Sequence, residues 1–173
     1  MRKVFSLFLI LLLLTSCHKE VREDHYVLGL DEERLFAPGF DTLERMREIG
    51  FETELYGDFS KGDSAQAPLY YEGKEVGKAT FTNTGKKDAP SEECILTYLE
   101  LYVWSIPETL LLDGEEVPVS IKETCDRYEG DYLYKNGIAC VIEKEDRNEI
   151  VILHGDISAY DQDRIDRIEV FAD

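Results

Sequence analysis

This chain is short of cations relative to its acids. Nineteen Lys and Arg stand against thirty-seven Asp and Glu, a formal net charge of −18 at pH 7. A surface of that sign repels nucleic-acid backbones and anionic headgroups, so nucleic acid is excluded as a partner and charge alone does not hold the chain to a membrane. Histidine is also scarce. His18, His25 and His154 are scattered, and without a base beside a nucleophile a hydrolytic triad has no support. His154 follows "IVIL" at a strand end and reads as a surface residue. No Cys-x-x-Cys occurs, which removes zinc and dithiol readings. "GKEVGK" at 73–78 is too short for a phosphate-binding loop and no Ser or Thr follows its last Lys. "GDISAYDQDRID" gathers Asp156, Asp161, Asp163 and Asp166 without the spacing or Gly of a calcium loop. At this density of acids, carboxylate pairs of the glycosidase kind arise by chance. No cofactor motif, metal-ligand set or catalytic set stands out.

Long apolar runs are absent too, except at the start. Arg2 and Lys3 precede an apolar stretch over 4–14, which ends in Leu14-Thr15-Ser16-Cys17. The stretch is shorter than the roughly 20 residues of a membrane span, and its layout is that of an export signal. Its last four residues resemble the lipobox of bacterial lipoproteins. The resemblance implies diacylglycerol on the Cys17 sulfur, cleavage before Cys17, and attachment to the extracytoplasmic face of the cell membrane, or to the outer membrane in a Gram-negative source. Stable anchoring takes more than one acyl chain, each buried CH₂ contributing about 0.8 kcal/mol. Loss of 1–16 would remove two cations and no acid, taking the net charge from −18 to −20.

Three cysteines would then remain, Cys94, Cys125 and Cys140, enough for one internal bridge. Cys125 shares a predicted helix face with Ile121 and Tyr128. Cys140 alternates with Ile138 and Ile142 on a predicted strand. A Cys125–Cys140 disulfide and a pair of buried thiols both fit.

The rest of the chain divides into a charged tether over 17–27 and one domain over 28–173. Asp41 with Glu44 predicts a helix start and Gly50 its end. Residues 56–68 read as a loop. Period two then takes over, with a hairpin at Glu72-Gly73 and a polar turn over 84–93. "CILTYLELYVW" (94–104) is the strongest strand. Ile95, Leu99, Leu101 and Val103 fall on one face and Leu96, Tyr98, Tyr102 and Trp104 on the other, which predicts a central strand covered on both sides. Tyr98, Tyr102 and Trp104 are the candidate binding residues: exposed, they make an aromatic recognition patch; under a helix, they are core. Tyr70, Tyr71, Tyr132 and Tyr134 are further candidates for exposed aromatics. Asp113-Gly114 signals a tight turn. Ser120, with Glu123 three residues on and Gly130 beyond, frames a second helix. Asn136-Gly137 turns a hairpin, and strands at 149–157 and 165–173 close the chain.

Residues 69–153, with their strand pair, the apolar strand "EECILTYLELYV" and the helix over 120–130, resemble small uncharacterised lipoproteins of Firmicutes. The helix followed by an Asn-Gly hairpin is similar to the β-lactamase-inhibitor-protein-like fold, which hosts inhibitors and envelope-assembly lipoproteins; no active-site residues carry over from it. The expected architecture is α+β, an antiparallel sheet with two short helices packed on one face. The expected role is that of a non-catalytic envelope protein binding a protein or peptide. A small-solute or cation-binding module is the alternative.

Overall fold

The computed structural model describes residues 25–133, 139–143, 149–155 and 164–172. Its frame is an antiparallel sheet of eight strands: β3 (Phe51–Glu52), β5 (Ser64–Tyr71), β6 (Lys74–Thr82), β8 (Ile95–Tyr102), β11 (Asp131–Leu133), β12 (Ala139–Glu143), β13 (Glu149–Gly155) and β14 (Ile165–Ala172). Their order across the sheet is β11-β12-β13-β14-β8-β6-β5-β3. The last strand in sequence therefore fills the middle of the sheet, zipping β13 to β8. A small sheet holds β1 (Leu28–Gly29), β2 (Leu35–Phe36), β9 (Leu111–Leu112) and β10 (Glu115–Glu116), and a strand pair joins β4 (Asp58–Phe59) to β7 (Ala89–Pro90).

Alternation decides which face is buried. Val151 and Leu153 of β13, Ala79 and Phe81 of β6, and Ile168 and Val170 of β14 point into one core. Two short helices, α1 (Leu43–Glu48) and α2 (Ile121–Tyr128), send Leu43, Met46, Ile121 and Cys125 into that same core. Leu28, Phe36 and Leu112 of the small sheet join them. The fold is thus α+β, with both helices contributing to one hydrophobic layer.

The ends of the elements follow local chemistry. The Glu72-Gly73 and Asp113-Gly114 turns form where the sequence places them. At the first, Glu72 and Gly73 both have positive φ, 50° and 74°, the backbone that matches a two-residue hairpin to the twist of its strands. The second helix starts as expected, the Ser120 hydroxyl accepting from the Glu123 N–H at 3.2 Å. The first differs. Thr42, not Asp41, is its cap, accepting from the Arg45 N–H, while the Asp41 carboxylate accepts from the Ala37 N–H at 2.7 Å and closes the turn before the helix. Gly130 also has another role than the one expected. Glu129 takes the left-handed position at the end of α2. Gly130 is instead pressed against β12, where an added Cβ would lie 2.7 Å from the Cys140 sulfur.

Two boundaries move. Residues 64–68, expected in a loop, belong to β5 and pair with β6. Pro68 is tolerated there because β3 pairs only with Tyr70 and Tyr71, leaving β5 at the sheet edge where no N–H is needed. Residues 25–27, expected in the tether, are built into the domain: Tyr26 is buried, and Val27 exchanges bonds with Asp113 at 3.0 and 2.7 Å.

Candidate functional site

The two faces of the large sheet differ. One is covered by the helices and the small sheet; the other carries half-buried polar and aromatic side chains. Strand β8 shows how. Its ladder with β6 shifts between Thr80 and Phe81, so that Thr80 pairs with Tyr98 and Phe81 with Leu96, leaving Thr97 as an extra residue. Such a bulge switches the facing of everything beyond it. Leu96 joins Leu99 and Leu101 in the core, where strict alternation would have put it on the opposite face. Tyr98, Glu100 and Tyr102 line the other side, and among the described residues no helix packs over them. The expected cover on both sides of this strand is therefore replaced by an ionic layer on one of them.

Register assembles that layer from four strands. Glu100 of β8 lies opposite Glu169 of β14 on one side and Lys78 of β6 on the other. Two carboxylates facing each other across a ladder repel. Arg167 bridges them, its Nη1 3.5 Å from Glu100 and its Nε 3.4 Å from Glu169. Lys78 stands 3.6 Å from Glu100 and His154 Nε2 3.5 Å from Glu169. The Tyr98 hydroxyl donates to Glu100 at 3.2 Å, and Glu100 is only 6% exposed. Burial, followed by the nearby Glu169 and Glu100 carboxylates, pushes the Tyr98 phenol well up. Burial, then Arg167, pushes the His154 imidazole down, while Glu169 pulls it up. His154 is thus no lone surface residue: it is half-buried on β13, opposite Arg167.

The separations in this layer exceed the roughly 2.7–2.9 Å of saturated charge-assisted hydrogen bonds. His154 Nε2 and Arg167 Nε are buried atoms that make no hydrogen bond among the described residues. Both atoms face the Glu169 carboxylate at ion-pair distance, 3.5 and 3.4 Å, so the layer is loosely paired within itself.

Aromatics flank it at both ends. Tyr98 packs on Phe171 with ring centroids 5.0 Å apart. Tyr102 stacks on Trp104 at 6.2 Å and 13°. Trp104 lies beyond the strand in the 3-10 turn Val103–Ser105 and is 70% exposed. The three aromatics read from the sequence thus divide: Tyr98 and Tyr102 half-buried on the open face, Trp104 exposed at its end. Of the other tyrosines, Tyr71 is core, its hydroxyl donating to Glu108 at 2.8 Å and accepting from Arg34. Tyr70 is half-buried and Tyr132 exposed.

Cys94, Cys125 and Cys140 are buried as thiols, with no disulfide among them. Burial pushes the Cys140 thiol up, and the neighbouring Cys125 thiol adds to this. The two cysteines considered as a bridge thus stand side by side as thiols. Cys17, Tyr134, the Asn136-Gly137 turn and Asp156, Asp161 and Asp163 lie outside the described residues; Asp166 is on β14. Among the described residues, no group of three or more His, Cys, Asp or Glu is placed to hold a metal ion, and no helix is long and apolar enough to cross a membrane.

Glu100, Arg167, Glu169 and Lys78 were not singled out in the sequence. The one local signal was Glu100 itself, a charge set between Leu99 and Leu101 in an apolar strand. No protein-family model, curated protein or solved structure matches the chain, so the resemblances drawn from its sequence rest on its own residues.

Proposed function

We propose that the protein is a lipid-anchored envelope component, exported and held by Cys17, which recognises a protein or peptide partner on the open face of its large sheet. The observation that carries this reading is the exposed Trp104 stacked on Tyr102 beside a half-buried ionic layer. Trp, Tyr and Arg are the residue types that dominate binding energy at interfaces, and a half-buried charged layer sets register and rejects wrong partners. The net charge of −18 favours encounter with basic partners. The activity is recognition, and no bond-making step is assigned.

Trp104→Ala tests the face. An exposed side chain contributes little to folding, so stability should change by less than about 0.5 kcal/mol. Capture of envelope proteins by the purified chain should fall about tenfold, the equivalent of 1.4 kcal/mol. The reading fails if the variant captures the same proteins as the wild type, or if the wild type enriches none over a charge-matched control.

Cys17→Ser tests the anchor. Without the sulfur no acyl chain is attached, and a net charge of −18 gives the chain no other hold on anionic lipid. The variant should leave the membrane fraction or stay uncleaved, as read by fractionation and blotting, and the mass of the wild-type chain should carry the lipid. Unchanged processing and membrane retention in the variant would exclude lipid attachment at Cys17.

A further inference from the structure

A second place on the surface has the chemistry of a binding site, at the far edge of the same sheet. A cleft of about 280 Å³ is lined by Glu52, Thr53, Glu54, Tyr56, Tyr70 and Gly73. Its construction follows from strand geometry. From β3 onward the chain alternates: Phe51 and Thr53 are buried, while Glu52, Glu54 and Tyr56 are exposed. Tyr70 is the cross-strand partner of Glu52, which brings a phenol ring beside a carboxylate on one face. The turn at Gly73 adds no side chain, and nothing lies within 4 Å of where its Cβ would be.

The charge of this lining is one-sided. Glu52 and Glu54 are its only ionisable acids, no cation lines it, and neither carboxylate makes an ion pair among the described residues. The nearest guanidinium, Arg47, is already engaged. It donates to the Leu55 carbonyl at 2.9 Å and to Glu92 at 2.7 Å, and rests 5.6 Å from the centre of the Tyr56 ring. It thereby holds the Tyr56 loop in place without neutralising the cleft.

Two carboxylates and two phenol rings around a small open cleft suit one kind of ligand. A metal ion wants three or more hard ligands, and the lining offers two carboxylates. A neutral solute would leave both carboxylates without a counter-charge, whereas a cation supplies one. An organic cation on a slender stem fits: its stem lies on the tyrosine rings and its head donates charge-assisted hydrogen bonds to the carboxylates. The cleft adjoins β3, the outermost strand of the sheet, where an extended partner segment has room to lie alongside. We propose that this cleft binds the side chain of an arginine or lysine presented by a basic peptide segment of a partner. The proposal stands apart from the open-face reading and shares none of its residues.

The test is calorimetric titration of the full chain with a capped Ala-Arg-Ala peptide, with its citrulline counterpart, and with spermidine. The arginine peptide should bind saturably. The citrulline peptide, of the same shape but uncharged, should bind about tenfold more weakly or worse, as expected for losing a charge-assisted pair. Glu52→Gln with Glu54→Gln should weaken the arginine peptide by a similar factor. Glu115→Gln with Glu116→Gln, which removes the same charge from exposed positions on β10, should leave it unchanged, and so should Trp104→Ala. Absent binding, equal binding of the citrulline peptide, or equal losses in the two double variants would overturn the proposal. Tighter binding of spermidine than of the peptide would overturn its peptide source in favour of a free polyamine.

Discussion

Gly77→Ala is expected to destabilise the fold more than any other single methyl addition among the described residues. Gly77 sits on β6 at the point where it pairs with Leu101 of β8. A Cβ there would lie 1.8 Å from the Glu100 carbonyl oxygen, 2.8 Å from its carbonyl carbon and 3.1 Å from the Leu101 Cα. All three are backbone atoms, so no rotamer change relieves the overlap. The two strands must separate, at the centre of the sheet and directly beneath the Lys78–Glu100 pair. Overpacking of this kind costs about 3 kcal/mol or more, a large share of the roughly 5–15 kcal/mol that holds a domain together. Gly73→Ala is the control: its φ is +74° but its surroundings are empty, and the backbone strain alone should cost about 1 kcal/mol. Urea unfolding of both variants at a common m-value compares them directly. Equal losses would mean that β6 moves away from β8 at little cost, and would refute the close approach as the reason for glycine.

How much of this was readable beforehand depends on the range of the interaction. Ser120 and Glu123 cap α2 from three residues apart, and the Glu72-Gly73 turn is set by its own two residues; both were legible. The facing of Leu96 was not, because a single unpaired residue, Thr97, breaks the alternation, and a bulge depends on the partner strand as much as on its own sequence. The ionic layer was less legible still. Glu100 and Arg167 meet only because the last strand inserts between β13 and β8, a fact of topology that no local pattern carries. Tyr98, Tyr102 and Trp104 were singled out by type, but their division into two half-buried rings and one exposed ring follows from the bulge and from the 3-10 turn that ends the strand. The cleft was hidden for a simpler reason. Glu52, Glu54 and Tyr56 keep period two, but the loop expected from residue 56 onward drew attention away from the extended chain before it.

Glu149→Ala is expected to be the second large loss, and it connects the fold to the proposed anchor. Glu149 opens β13 and is only 3% exposed. One carboxylate oxygen accepts from the Tyr26 backbone N–H at 2.6 Å, and the other is paired with His25 Nδ1. His25 in turn lies against the Phe40 ring, with centroids 5.9 Å apart. The carboxylate therefore fastens the first described residues of the chain to the large sheet. Truncation to alanine leaves a buried backbone N–H without its acceptor and a cavity where the side chain stood, together about 2–4 kcal/mol. Glu149→Gln, which keeps the shape and an acceptor for the Tyr26 N–H, should cost less. His25→Ala should cost less again, because that side chain is partly solvated. A double-mutant cycle of His25→Ala and Glu149→Ala should return a coupling of about 1 kcal/mol or more, as for residues in direct contact. Hydrogen exchange gives the local readout: in Glu149→Ala the Tyr26 amide should exchange faster by at least tenfold, while amides of β6 and β8 follow only the global loss of stability. A Tyr26 amide that stays as protected as in the wild type would show that the buried Tyr26 ring, and not the carboxylate, holds this segment. On the anchor proposed at Cys17, eight residues before His25, a pull from the membrane would meet this carboxylate first, and then the buried Tyr26 ring and the Val27–Asp113 bonds.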